Sequence, residues 1–146
     1  MAFTFYKFLR GGEDQLFVEK RLPAQTSSYF YNGMALKVSA GKLVYASAGG
    51  QVYAISNVST VSGDVSSDYK PEVVPVNPNQ VWKGTLSSAA SAEFLMGRMT
   101  NLDGAEAGTG IDGGVHSGAT MWIYDFTSAN SGVAFVVFRD PTTTAF

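Results

Sequence analysis

Cysteine is absent from these 146 residues, and histidine occurs once, at His116. Without thiols there are no disulfides, no thiolate nucleophiles and no cysteine-held metals. Charge is also scarce: 15% of residues are Asp, Glu, Lys or Arg, against an average near 25%. Ten basic residues against twelve acidic ones leave a net charge of −2. That is no footprint for phosphate neutralisation, so nucleic acid is not an expected partner. No apolar run reaches the 18 or more residues of a membrane span, and a membrane is not an expected partner either. Lys7 and Arg10 fall at the wrong end of Met1 to Leu9 for a secretory leader. The chain reads as soluble and unprocessed.

What is present is apolar and β-branched. Hydrophobic residues make up 45% of the chain, enough for one ordinary domain to bury a core without staples. Short strand-like runs recur, punctuated by glycine and asparagine turns. Asn32-Gly33 opens into Met34 to Val38. Ser39-Ala40-Gly41 turns back into Leu43 to Ala46, and Gly49-Gly50 leads to Val52 to Ile55. Glu72 to Val76 and Val81 to Leu86 flank Asn77-Pro78-Asn79. Thr120 to Phe126 and Val133 to Phe138 follow. The expected fold is mainly β: a small barrel or sandwich with at most one short helix, over Ser88 to Met99, or a strand through Phe94-Leu95-Met96. Three segments are expected: an extended N-terminal arm (1–28), a β-rich domain (29–140) and a C-terminal tail (141–146).

Chemical motifs are few. Gly108-x-Gly110-x-x-Gly113 has the spacing of a dinucleotide fingerprint, but no helix can follow it through Gly114-Val115-His116-Ser117-Gly118. Asp103, Glu106 and Asp112 share that glycine-rich loop. Alanine at 105 and 107 breaks the alternating acids of a calcium loop, so a solvated loop is the reading. His116 reads as a surface histidine, since a catalytic base needs an oriented partner. Glu93 and Asp125 would be arbitrary as a glycosidase pair. Asn57-Val58-Ser59 matches a glycan acceptor by chance. No catalytic residue, cofactor or metal is expected, and the chain does not read as an enzyme.

Two groups of aromatic residues stand out as interface candidates. Trp82 and Trp122 suit a core or an interface. Phe3, Phe5, Tyr6, Phe8 and Leu9 are much apolar surface near a chain end, on both faces of an extended segment. That pattern suits strand addition to another protein, so removal of residues 1–12 is expected to spare the fold and weaken binding.

From Asn32 the order of features resembles that of the lambda-type head-decoration, or capsid cement, proteins of tailed bacteriophages. The residues that carry the resemblance are Met34-Ala35-Leu36-Lys37-Val38, then Gly41-Lys42-Leu43-Val44-Tyr45, Val52-Tyr53-Ala54-Ile55 and Val81-Trp82-Lys83-Gly84. They span about 55 residues and are strand and turn patterns. Gly97-Arg98-Met99 and the last strand pair fit a larger member, and the C-terminal sixty or so residues exceed the small ones. The resemblance implies a compact β-barrel-like homotrimer, made in the host cytoplasm, that binds the major capsid protein on the virion exterior. Its arm would order on the shell. The alternative is a carbohydrate- or receptor-binding module of a phage fibre or tail, with Trp82 and Trp122 as its platform. A carboxylate hydrolase ranks last.

Overall fold

Nine strands in two antiparallel sheets make up the regular structure of the computed structural model, which describes residues 3–10, 16–25, 30–46, 50–60, 69–87, 89–103, 110–116, 120–126 and 132–139. The strands are β1 (Thr4–Phe8), β2 (Ala35–Ser39), β3 (Lys42–Tyr45), β4 (Ala54–Ser56), β5 (Val73–Pro75), β6 (Gln80–Thr85), β7 (Met99–Thr100), β8 (Met121–Asp125) and β9 (Val133–Phe138). A five-stranded sheet has the order β1-β6-β9-β8-β7, and a four-stranded sheet the order β3-β2-β4-β5. The fold is a sandwich; neither sheet closes into a barrel. The C-terminal tail lies outside the described residues.

The main core fills the space between the sheets. Ala35, Ile55 and Val74 project from the four-stranded sheet. Trp82, Met121, Ile123, Ala134, Val136 and Phe138 meet them from the five-stranded one. Trp82 also brings a polar atom inside. Its indole N–H donates to Gln80 Oε1 at 3.2 Å, and the Gln80 amide donates to the Pro75 carbonyl. A buried indole N–H left unpaired would cost about 1–3 kcal/mol, so the buried Gln80 matches the buried Trp82.

A second core lies on the far face of the four-stranded sheet. Leu36, Leu43, Ala54 and Val73 are covered there by Ala24, Phe30 and Met34, with Leu22 and Tyr69 packed alongside. The segment 16–25 acts as a strap across this face. Glu19 pairs with Val73 at one edge of the sheet, and Ala24 pairs with Leu43 at the other. One strap thus covers an apolar face and closes both of its sheet's edges.

No helix forms between 89 and 99, and Phe94 to Met96 is not a strand. The backbone there bonds outward: Ser91 N–H to Gly113 O, Gly97 N–H to Ile123 O. Phe94 is buried against Phe126, with ring centroids 4.8 Å apart, and Gly97 turns the chain with φ of +85°. Tertiary pairing overrides the helix propensity of the alanines.

The N-terminal segment is extended, and it belongs to the sheet. β1 pairs with β6 through Thr4↔Lys83, Phe5↔Trp82, Lys7↔Val81 and Phe8↔Gln80, with a bulge at Tyr6. Phe3 is only 3% exposed, edge-on to Phe138 at 5.1 Å. Its N–H donates to Gly33 O at 2.9 Å, tying β1 to the turn that opens β2. A Cβ on Gly84 would stand 2.7 Å from the Phe3 ring and 2.6 Å from Ile111 Cδ1, so glycine is what lets Phe3 seat. Burying a phenylalanine contributes about 2–3 kcal/mol, and removing residues 1–12 would open this part of the core.

Two substitutions test these arguments. Gly84→Ala should cost about 1–3 kcal/mol by overpacking, and Tm should fall by several degrees. Combined with Phe3→Leu, the loss should be smaller than the sum of the two single losses, as a double-mutant cycle on denaturant midpoints would read out. The turn Ala40-Gly41 between β2 and β3 has φ of +51° and +78°, the signature of a two-residue hairpin in which alanine is strained. Ala40→Asn should therefore raise stability by about 0.5–1 kcal/mol, measured by thermal melting.

Candidate interaction surface

The outer face of the five-stranded sheet is built from residues that alternate with the core set. On β9, Ala134, Val136 and Phe138 point inward, so Val133, Phe135 and Val137 point outward. Trp122 of β8 lies opposite Val137 on one side and Met99 of β7 on the other. Two bulges re-aim tyrosines onto this face, at Tyr6 in β1 and at Tyr124 in β8. Tyr6 packs on Phe135 with centroids 4.5 Å apart and stays 52% exposed. Lys7 Nζ lies 5.7 Å from the Tyr6 ring centroid and 5.1 Å from that of Tyr124. A hydrogen bond to the Tyr124 hydroxyl holds the Lys7 ammonium above its ordinary range, with Tyr6 and Asp125 adding to the effect. The result is an aromatic face in which Val81 and Val137 are buried, Trp122, Tyr124 and Phe135 are half-buried and Tyr6 is exposed.

The aromatic residues singled out in the sequence separate into two environments. Phe3 is core. Phe5 is half-buried and inward, 5.6 Å from Trp82, with Phe8 packed on it at 4.9 Å. Tyr6 and Leu9 are exposed. Trp82, expected as a possible interface residue, is a core residue at 3% exposure. It pairs with Val136 and Trp122 pairs with Val137, so the two tryptophans lie on opposite faces of one sheet. They cannot form a common sugar-stacking platform. Phe135 and Tyr124 complete the outer face and were not singled out in the sequence. The run Val133 to Phe138 is apolar at every position, which signals a strand covered on both faces.

The acidic and histidine residues form a local structural knot. Asp112 accepts from Gly114 N–H at 2.9 Å, and its other oxygen lies 3.0 Å from His116 Nε2. The Thr100 hydroxyl donates to the Asp112 and Gly114 carbonyls. That hydroxyl is taken up by backbone, and no other hydroxyl is brought to His116 among the described residues. Asp103 belongs to a backbone ladder, its N–H donating to Gly110 O. Glu106 and Gly108 lie outside the described residues. Gly110 and Gly113 flank an extended stretch in which Ile111 bridges Leu86 and Leu102, with no helix after it. Glu93 sits on an exposed turn, and Asp125 accepts from the Phe126 N–H. Asn57 of the acceptor-like triplet gives its side-chain amide to Glu72. Among the described residues, no three His, Asp or Glu side chains gather as a metal site. No family model, no curated protein and no solved structure matches the chain.

One polar cluster fastens the strap, and the sequence offered no signal for it. The Tyr53 hydroxyl donates to Glu19 and accepts from Arg21 Nη2 at 2.8 Å, while Arg21 Nε lies 3.8 Å from Glu19. Burial, and then the bond to Glu19, push the Tyr53 phenol above its ordinary value of 10.0. A raised phenol pKa favours the fold below the unfolded value, and that contribution is lost as pH rises through the folded one. Tyr53→Phe should cost about 1 kcal/mol near neutrality, a modest figure because Arg21 is exposed. The gap between wild type and variant should hold below the ordinary phenol value of 10.0 and shrink as pH rises above it. Urea midpoints for both proteins between about pH 7 and pH 11 check this; a gap that stays constant would refute it.

Proposed function

We propose that this chain is a non-enzymatic structural protein that attaches to the outside of an icosahedral capsid and reinforces it. The observation that carries the proposal is the outer face of the five-stranded sheet. Tyr6, Met99, Trp122, Tyr124 and Phe135 form an apolar, aromatic patch there, while the equivalent face of the other sheet is already covered by its own strap. Interfaces are enriched in Tyr, Trp, Phe and Met, and patches of this kind on a chain with few charges mark protein–protein contact. The capsid as partner rests on the resemblance of residues 32–84 to the decoration proteins. Reinforcement is geometric: a subunit that touches two capsid proteins must be displaced before they part. Several weak contacts in one oligomer, a trimer in the family it resembles, act at high effective concentration.

The test first reads the gene's neighbourhood for a major capsid gene and then uses expanded capsids assembled from its product; absence of such a gene would itself count against the proposal. Surface substitutions are preferable to N-terminal truncation, because Phe3 belongs to the core. Full-length protein should co-sediment with the shells. Trp122→Ala with Tyr124→Ala should reduce binding at least about tenfold, as expected for aromatic anchors, with a melt that remains cooperative. Absence of co-sedimentation, or full binding by the double variant, would overturn the proposal.

A further inference from the structure

Asn32-Gly33 is the one Asn-Gly pair in the sequence, and its chemistry is intrinsic to the two residues. The Gly33 amide nitrogen can attack Asn32 Cγ, because glycine has no side chain to hinder the approach. A C–N bond forms, the bond from Cγ to the side-chain nitrogen breaks, and that nitrogen leaves as ammonia. Water then opens the resulting succinimide at one of its two carbonyls. The product is an aspartate, or an isoaspartate in which the backbone runs through the former side chain. Asn32 is exposed, and with Gly33, Phe3 and Ile55 it lines a groove of about 380 Å³ between the sheets, so water can reach it.

The fold restrains this reaction. Ring closure needs the Asn32 side chain to meet the Gly33 nitrogen, by rotation of the peptide between them, and it needs that nitrogen to give up its proton to hydroxide. In the structure Gly33 is buried, and its N–H donates to Ser56 O at 2.7 Å. Its carbonyl accepts from Phe3 N–H at 2.9 Å. Asn32 N–H donates to Ser59 Oγ at 3.0 Å, and Met34 N–H to Tyr31 O at 3.0 Å. Gly33 has φ of +89°, which with the last of these bonds is the pattern of a type II turn. The pair is thus held from the end of β4, from 59 and from β1, and rotation must break at least one of these bonds.

We propose that Asn32 is a site of spontaneous deamidation that the fold keeps closed, and that opens when the joint between Phe3, Gly33 and Ser56 loosens. The rate at Asn32 then reports local opening where the two sheets are tied together, ahead of global unfolding. The change is also irreversible. An isoaspartate adds an atom to the backbone between Asn32 and Gly33, so the Gly33 N–H and carbonyl can no longer meet both Ser56 and Phe3 in their present register. Once formed, the product leaves β1 without its tie to the turn that opens β2. The proposal does not depend on the capsid reading, since every group in it belongs to this chain.

The test incubates the purified full chain in mildly alkaline buffer, where hydroxide drives the reaction, and follows Asn32 by mass spectrometry of proteolytic fragments. A synthetic peptide with the sequence of residues 29–37 is the unrestrained reference. The peptide should convert at least about tenfold faster than the folded chain, as expected where a reaction waits on local opening. Ser59→Ala, at an exposed position, and Phe3→Leu should each speed conversion of the folded chain by about threefold or more. Tyr53→Phe, which loosens the strap instead, should leave the rate unchanged. The isolated isoaspartate form should melt several degrees below wild type, whereas Asn32→Asp, with its ordinary backbone, should melt close to it. Conversion of the folded chain as fast as the peptide, or no acceleration by Ser59→Ala and Phe3→Leu, would overturn the proposal. So would equal acceleration by Tyr53→Phe, or an isoaspartate form that melts like wild type.

Discussion

The ring of Phe3 occupies the space that a Cβ on Gly84 would fill, while its N–H reaches across to the carbonyl of Gly33. That pair of contacts joins the first strand of one sheet to the turn that opens the other. It also sets the depth at which β1 lies on β6, and so places Phe5 against Trp82 and the Tyr6 bulge over Phe135. The inner groove and the outer aromatic face both inherit their geometry from this seat. A residue with a side chain at 84 would lift β1 and disturb both.

The two sheets solve the same problem differently. Each is apolar on both faces, and each buries one face against the other. The four-stranded sheet covers its second face with the strap, pinned at Val73 and Leu43 and clasped at Tyr53 by Glu19 and Arg21. The five-stranded sheet leaves its second face to partly exposed aromatic and methionine side chains. Trp122, Tyr124 and Phe135 lie on that second face, and the proposed contact is built on it. The chain's one histidine is tied to Asp112 in a turn, and the adjacent Thr100 hydroxyl is given to backbone carbonyls.

How much of this was legible in the sequence depended on whether the signal was local. Seven of the nine strands lie in runs read directly from β-branched residues and turn dipeptides, and the Ala40-Gly41 turn was placed from Gly41 and its small neighbours. Those features depend on neighbours a few residues away. The alanine-rich stretch before Gly97 invited a helix, because propensity cannot register that Ser91 and Gly97 bond to Gly113 and Ile123. The same limit hid the strap, whose pairs span tens of residues. It also obscured the fates of the two tryptophans: two inward-or-outward patterns are equally good for strands that are apolar throughout. Only the ladder, with Val136 against Trp82 and Val137 against Trp122, separates them.

Beyond Phe3, no described segment pairs with the outer edge of β1, and an unpaired strand edge is a hazard, since it invites pairing with any exposed strand. β1 carries two features that limit this. The bulge at Tyr6 interrupts the regular ladder after Phe5, so a long flat partner cannot run along the whole edge. Lys7 stands next to the bulge with its ammonium over the outer face beside Tyr124, and a charged residue on an edge strand discourages pairing. Backbone geometry at Tyr6 and charge at Lys7 therefore both oppose indiscriminate pairing along β1.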